Sequence, residues 1–454
     1  MIEPVNNQHV VVLGAARSGV AGACLLKRKG ASVFVSDHGS IAPDMKRRLT
    51  EAQIDFEEGG HTDQARGGEY AVVSPGVPTS APIVRHYLDN GRAVYSELEM
   101  ASWFNQSPIV GVTGSNGKTT VTYWLQDIWS RSDQSSIMAG NVGYAFSDYV
   151  EQTQPDKYAI LEVSSFQLDH IHSFRPNIGV LLNLTPDHLD RYDNSFEKYC
   201  QAKFRLLENQ TENDWIIYNY DDSTIREYVH TLTNQKGAPG ALPFSSTREL
   251  DRGIFIRDQQ IIFNIHGKEE PLMSKDDIGL QGNHNLKNGL ASALAARAAE
   301  IHNEAIRESL KQFEGVEHRL ETVRTHKGVQ YINDSKATNV NALWYALDSF
   351  SQPIILIMGG RDKGNDYSEV FELVRQNVRA IIAIGESADK VERELSDKVE
   401  QFTKSTTMDG AVRQASKWAR ENEIVLLSPA CASFDMFEDY EHRGRVFKES
   451  VNKL

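Results

Sequence analysis

Ile109-Val110-Gly111-Val112-Thr113-Gly114-Ser115-Asn116-Gly117-Lys118-Thr119-Thr120 is an apolar, β-branched run that breaks into a glycine-bearing turn. Val121, Trp124, Leu125, Ile128 and Trp129 follow at helical spacing. The reading is strand, glycine loop, helix. Such a loop lets backbone N–H groups converge on phosphate oxygens, and the helix N-terminus favours the anion. Lys118 adds a point charge and Thr119 a hydroxyl suited to Mg²⁺. Gly114, Ser115, Asn116, Gly117, Lys118, Thr119 and Thr120 are therefore the expected ATP contacts. The strict form of the motif has glycine where Val112 stands, so this is a shorter variant. A bland turn with an exposed lysine is the alternative reading of the loop by itself.

Outward from this loop, short continuous apolar runs alternate with amphipathic stretches, the pattern of parallel sheets covered on both faces. One series is 10–13, 32–35 and 71–73; a second is 109–112, 158–163 and 178–184; a third is 331–332, 354–358, 380–384 and 424–427. At 454 residues the chain is too long for one core. The expected fold is α/β with three domains: a Rossmann-like domain at 1–97, a central P-loop-type ATPase domain at 98–315, and a Rossmann-like domain at 316–454. Between 211 and 275, polar turns separate strand-like pieces at 254–256 and 260–265, which predicts a smaller antiparallel sheet added to the central domain.

A formal charge of -14 argues against binding to a nucleic-acid backbone, which needs clustered Lys and Arg. Cys24, Cys200 and Cys431 lie far apart without a CxxC pair, so neither a disulfide framework nor a zinc knuckle is expected. No run approaches the roughly 20 apolar residues of a membrane helix, and no basic start precedes an apolar segment. The chain reads as a soluble, cytoplasmic protein that does not insert into membranes.

The run at 158–163 carries one charge, Glu162, near the strand end where such sheets place their ligands. A buried carboxylate needs a partner, and Mg²⁺ is a good one. Thr185-Pro186-Asp187-His188-Leu189-Asp190 ends the next strand and puts His188 at the corresponding rim. Lys203 falls inside the apolar stripe of Phe196, Tyr199, Cys200, Phe204 and Leu207. An ammonium there is partly desolvated, which lowers its pKa and favours the reactive neutral amine. A snorkelling lysine with a wet tip is the other reading.

Taken together these segments resemble the Mur ligase superfamily of peptidoglycan synthesis. The resemblance runs along essentially the whole chain. Besides 111–120 it rests on Glu162-Val163-Ser164-Ser165-Phe166-Gln167-Leu168, on 183–192, on Gly282-Asn283-His284-Asn285-Leu286-Lys287-Asn288 and on His318-Arg319. Asn333-Asp334-Ser335-Lys336-Ala337-Thr338-Asn339 and Leu427-Ser428-Pro429-Ala430-Cys431-Ala432-Ser433 complete it. The segment 334–339 is similar to the D-glutamate-adding branch, whereas folylpolyglutamate synthetases usually differ there.

The resemblance implies ATP phosphorylation of the carboxylate of UDP-N-acetylmuramoyl-L-alanine, then attack by the amine of D-glutamate. It implies two Mg²⁺ ions. Thr119 and Glu162 would hold one, and Glu162, His188 and a carbamylated Lys203 the other, with Lys118 completing the catalytic set. Asn285, Asn288, Arg319 and Asp334 would serve the adenosine half. Lys336, Thr338, Lys363, Ser433 and Tyr440 would surround D-glutamate, although the family commonly has phenylalanine at Tyr440. Helix-start asparagines and ordinary surface charges are the bland readings of these positions.

Gly14-Ala15-Ala16-Arg17-Ser18-Gly19 after a strand, with Asp37 ending the next, is similar to a dinucleotide fingerprint. Ala16 occupies the middle glycine position, which limits close approach of a pyrophosphate. In the family this domain takes the UDP part of the substrate. Arg17, Ser18, Asp37 and Gly76 are then its candidates, with Asn141, Gln167 and His188 nearer the sugar. A monomer is expected.

Overall fold

The computed structural model describes residues 5–265, 267–280, 282–362 and 364–454. The expected α/β architecture is present as three sheets arranged in chain order.

The first sheet contains β1 (His9–Leu13), β2 (Ser32–Asp37), β3 (Asp55–Glu58), β4 (Tyr70–Val73) and β5 (Val94–Ser96). Its order is β3-β2-β1-β4-β5, and all pairs are parallel. The chain therefore runs one way from β1 to β3 and the other way from β4 to β5. Loops leaving the C-terminal ends of β1 and β4 diverge and open a crevice, the usual ligand position in such sheets.

The second sheet contains β6 (Ile109–Thr113), β7 (Ser135–Gly140), β8 (Lys157–Glu162), β9 (Ile178–Leu181), β10 (Trp215–Asn219) and β11 (Gly240–Phe244). β12 (Gly253–Arg257), β13 (Gln260–Ile265) and β14 (Lys268–Ser274) continue it. Its order is β14-β13-β12-β11-β10-β9-β6-β8-β7. The antiparallel strands expected after residue 211 are there, as β12 to β14. They do not stand apart as a sheet of their own: β10 and β11 pair in parallel with the main sheet, and β11 hands it on to β12. The sequence expectation failed to see that β10 and β11 bridge the two parts. β6 is central, and all five of its residues are buried.

The third sheet contains β15 (Glu321–His326), β16 (Val329–Asn333), β17 (Ile354–Gly359), β18 (Val378–Ile384), β19 (Gln401–Ser405) and β20 (Ile424–Leu427), in the order β15-β16-β20-β17-β18-β19. All but the β15 pairing are parallel. β20 inserts between β16 and β17, so the loops after these three strands emerge side by side.

Two compact units result: 5–278 with 287–311, holding the first two sheets, and 279–286 with 312–454, holding the third. Within the first unit Glu99 joins the sheets. Its carboxylate accepts the N–H groups of His172, Ser173 and Phe174 and the indole N–H of Trp103. Among the described residues no helix is long and apolar enough to cross a membrane.

Candidate active site

Beyond β6 the chain turns through Gly114 (φ +156°) and Gly117 (φ +85°), a region L side chains avoid. A Cβ at 117 would also lie 2.4 Å from Asn288 Oδ1. The neighbouring segment after β9 braces the loop. Ser115 N–H donates to Asn183 O at 2.8 Å, Asn116 N–H to Asn183 Oδ1 at 2.8 Å, and Asn183 Nδ2 back to Asn116 O at 3.0 Å. Ser115 Oγ donates to Thr185 O at 2.9 Å and lies 2.9 Å from the Tyr199 hydroxyl. Thr119 and Thr120 are buried in the first turn of the helix Lys118–Ser130.

Two lysines converge on this loop. Lys118 Nζ donates to Gly114 O and to Ser115 O, both at 2.8 Å, and Lys203 Nζ donates to the same Gly114 O at 2.9 Å. Lys203 is only 2% exposed, and its nitrogen lies 4.7 Å from the centre of the Tyr199 ring. The snorkelling alternative therefore fails, because the tip is as buried as the stem. Burial, then the charge of Lys118, push its pKa well below the ordinary lysine value, against the pull of Asp187 and Glu162.

Glu162 ends β8 in register with Val112 and Gly140 and is 2% exposed. Asn141 Nδ2 donates to its Oε1 at 2.7 Å. His188 sits in the left-handed region (φ +51°), with its ring 5.1 Å edge-on from that of Phe166. Arg191 lies over the Phe166 ring at 4.5 Å and donates to the carbonyls of Pro75, Gly76 and Val77, each at 3.3 Å. The His188 segment is thereby tied to the crevice of the first sheet. Arg191 carried no recognisable spacing signal in the sequence. Gln167 is buried, and its Oε1 accepts the N–H and hydroxyl of Ser164, which opens the short helix Ser165–Leu168.

In that crevice lies a cavity of about 810 Å³, lined among others by Gly14, Ala16, Asp37, Ser74 and Gly76. Asp37 is fixed by Ala15 N–H on Oδ2 at 2.6 Å and Gly39 N–H on Oδ1 at 2.8 Å. A Cβ at Gly19 would sit 1.9 Å from Gly14 O, so the last glycine of the fingerprint lets the helix pack on its own loop. Ser18 Oγ meets Ser74 Oγ at 3.1 Å. Arg17 lines a smaller neighbouring cavity and donates to Gly143 O at 3.3 Å. His38, His61 and Arg66 also line the main cavity, and the sequence reading missed them.

In the second unit, Asp334 follows β16 and is buried. Burial raises its carboxyl pKa to about 7, against Arg319 and the hydroxyl of Ser428, which donates to Oδ2 at 2.9 Å. Lys336 Nζ lies 5.4 Å over the Tyr440 ring, Ser433 is buried, and Thr338 is half-buried. Lys363 lies outside the described residues. Asn285 is buried in this unit, whereas Asn288, also buried, belongs to the unit carrying the phosphate loop. Arg443 went unforeseen. It is fully buried and donates to Ser335 Oγ at 2.9 Å, Ser335 O at 2.7 Å and Cys431 O at 3.0 Å, tying the loops after β16 and β20 together.

Comparison with known proteins agrees with this layout. The chain matches the Mur ligase middle domain over residues 112–296, the glutamate ligase domain of Mur ligases over 318–431 and the MurD N-terminal domain over 11–82. It is 48% identical over 459 aligned positions to the UDP-N-acetylmuramoylalanine–D-glutamate ligase of Salinibacter ruber, covering 100% of this chain and 99% of that protein. The enzyme of that name from Christiangramia forsetii is 42% identical, covering 98% and 100%. Among solved structures, the UDP-N-acetylmuramate–alanine ligase MurC of Thermotoga maritima superposes with a TM-score of 0.61 at 16% identity, covering 98% and 100%, a likeness of fold.

Proposed function

The chain belongs to the Mur ligase family, and we infer that it uses ATP to join D-glutamate to UDP-N-acetylmuramoyl-L-alanine, by way of an acyl phosphate made at the loop 114–120. The observation that carries the catalytic part is the convergence of Lys118 and Lys203 on one carbonyl, that of Gly114, close to a buried carboxylate. Two amines held so close beside a helix N-terminus suit a site that gathers several anions.

A carboxylate is a poor acyl donor. When one of its oxygens attacks the γ-phosphorus of ATP, the bond to the β,γ-bridging oxygen breaks and ADP leaves. The acyl phosphate then accepts the D-glutamate nitrogen. The C–N bond forms, inorganic phosphate carries away the electron pair of the C–O bond, and the amine gives up a proton. Lys118 and the N–H groups of the loop offset negative charge as it builds on the transferring phosphoryl group. The first-unit cavity, lined by Asp37 and Gly76, takes the UDP end, with Arg17 and Ser18 assigned to it from the adjoining loop. Asn141, Gln167 and His188 lie toward the sugar, Asn141 by holding Glu162 in position.

The donor set fits Mg²⁺, since a buried hydroxyl at Thr119 and a buried carboxylate at Glu162 suit a hard cation. A second ion would be held by Glu162, His188 and Lys203. For Lys203 this requires the carbamate, and an amine with a strongly lowered pKa is the form that reacts with CO₂. Bound there, the ions would supply charge neutralisation between the phosphates and the carboxylate. Asn285, Asn288, Arg319 and Asp334 are assigned to adenosine, and Lys336, Thr338, Lys363, Ser433 and Tyr440 to D-glutamate. We keep the division at 97 and 315 into UDP, ATP and amino-acid domains, a monomeric state and a cytoplasmic location.

The test is phosphate release from ATP with UDP-N-acetylmuramoyl-L-alanine and single amino acids. Release with D-glutamate is expected. Release with L-lysine or L-glutamate but none with D-glutamate would sink the assignment.

A further inference from the structure

We propose that Arg191 is a positioning residue that sets the span between the cavity of the first sheet and the catalytic rim of the second, by seating the cavity wall at 75–77 on the turn that carries His188. This rests on the UDP-substrate reading given above and adds to it the device that aligns the far end of the same substrate.

His188 and Arg191 share one short helical turn, Leu189–Tyr192, closed by Arg191 N–H on His188 O at 3.1 Å. Both flanks are left-handed without glycine: His188 has φ +51°, Asp193 +54° and Asn194 +55°. Side chains avoid that region unless the surroundings determine it, so the turn has little freedom to tilt. Phe166, four residues beyond Glu162, supports it. Its ring meets the His188 ring edge-on at 5.1 Å, the Arg191 guanidinium at 4.5 Å and the Tyr192 ring in a stack at 6.2 Å. Arg191, His188 and the chain leaving β8 therefore rest on one support.

On the other side, the loop after β4 forms the wall, where Gly76, Val77 and Pro78 line the cavity. Three successive carbonyls converge on the guanidinium, Gly76 O on Nη1 and those of Pro75 and Val77 on Nη2, each at 3.3 Å. Each bond is long, but a planar, permanently charged fork serves three acceptors at once, which a compact ammonium on a flexible stem does less well. Farther along the loop, Thr79 Oγ1 lies 3.0 Å from His170 Nε2, and His170 O accepts Ser96 N–H at 2.9 Å. The wall is thus fastened twice to segments that belong with the second sheet.

UDP-N-acetylmuramoyl-L-alanine carries UDP at one end and the reacting carboxylate at the other. Holding the first places the second only if the two sites keep a fixed separation. Binding at the UDP end is then converted into alignment at the carboxylate, where an error of about 1 Å lowers the rate about a hundredfold. Arg191 acts here through the wall on one side and His188 on the other, without touching a reacting atom.

The test separates alignment from holding. In the full chain, Arg191→Met keeps an apolar stem over Phe166 and removes the fork. It is expected to leave the affinity for UDP, read by calorimetry, and the KM for ATP within about threefold of wild type, while kcat with UDP-N-acetylmuramoyl-L-alanine and D-glutamate falls by about tenfold to a hundredfold. Arg191→Lys, which keeps the charge, should fall between the two and is the deciding variant if Arg191→Met does not fold. Thr79→Val, at the second fastening, should lower kcat by less. A merely structural role would lower kcat, UDP affinity and Tm together, and that outcome overturns the proposal, as does a wild-type kcat in the Arg191 variants. A wild type that neither binds UDP nor releases phosphate with the UDP-linked substrate overturns the UDP reading itself, and the alignment with it.

Discussion

The loops after β1 and after β6 start from the same backbone and end in different chemistry. Each leaves a central parallel strand beside a crevice, and each begins with a glycine at positive φ pressed against a neighbouring loop. Gly14 has φ +91° with Ser74 Cβ 2.8 Å from where its own Cβ would be; Gly114 has φ +156° with Leu182 Cβ at 2.9 Å. In the first loop a carboxylate, Asp37, already accepts the N–H of Ala15, and the loop's own cation, Arg17, donates to Gly143 O. In the second, Asn116 N–H meets a neutral amide, and two lysines turn onto Gly114 O. The strand-loop-helix frame thus supplies a place for phosphate in both, while side chains decide how much negative charge each can gather. The first suits a nucleotide that is only held; the second suits a phosphoryl group that is transferred.

That contrast can be broken at its strongest point by Lys118→Ala. The substitution should lower kcat by about a thousandfold or more, the scale of a lost transition-state charge contact, with UDP affinity unchanged in the same preparation. An equal loss of both would mean that the two loops do not divide the labour. Lys203→Ala should be nearly as damaging. Acetate or propionate, which can supply the oxygens of the proposed carbamate, is expected to restore part of the rate, and full activity of Lys203→Ala without additive would remove Lys203 from the mechanism.

The backbone half of the comparison is tested by a pair of substitutions. Gly117→Ala places a side chain at φ +85° against Asn288 and should cost about 1–3 kcal/mol of stability, read by denaturant unfolding, together with weaker ATP binding. Ala16→Gly, at an extended residue of φ -78°, should change stability by less than about 1 kcal/mol. A reversal of that order would show that the first loop, not the second, is the strained one.

The junction between the two sheets gives an effect on stability that depends on pH. Glu97 is buried and accepts from Ser147 N–H at 2.7 Å, and burial raises its pKa to about 7. A carboxyl whose folded pKa is raised leaves the native state holding more protons than the unfolded chain between the two values. Its contribution to stability is therefore greatest below about pH 4.5 and is lost as pH rises to about 7, to the extent of about 3 kcal/mol. Glu97→Gln should flatten that slope in melting curves taken from pH 5 to 8.

Which parts of this were legible in the sequence follows from burial. Strands covered on both faces, such as β6, β17, β18 and β20, read as continuous apolar runs and were placed to within a residue or two. β3, β5, β7, β14, β15 and β19 were not named, and each is an edge strand of its sheet; the interior strands β10 and β11 were not named either. Edge strands carry charge and polarity that blunt further pairing, so Asp55-Phe56-Glu57-Glu58 and Gln401-Phe402-Thr403-Lys404-Ser405 show no apolar run to find. At the site, Lys203 was visible because a charge inside an apolar stripe is anomalous. Arg191, Arg443 and His61 were not, because Arg191 is held by the carbonyls of Pro75, Gly76 and Val77, Arg443 by Ser335 and Cys431, and His61 by Ser36, contacts that no motif encodes.

The most direct measurement of the central claim is oxygen transfer. With ¹⁸O in the L-alanyl carboxylate of UDP-N-acetylmuramoyl-L-alanine, and with ATP and D-glutamate present, the released phosphate should carry one ¹⁸O atom, because the carboxylate oxygen leaves with the phosphoryl group. Phosphate free of the label would contradict delivery of the γ-phosphate from the loop to the carboxylate.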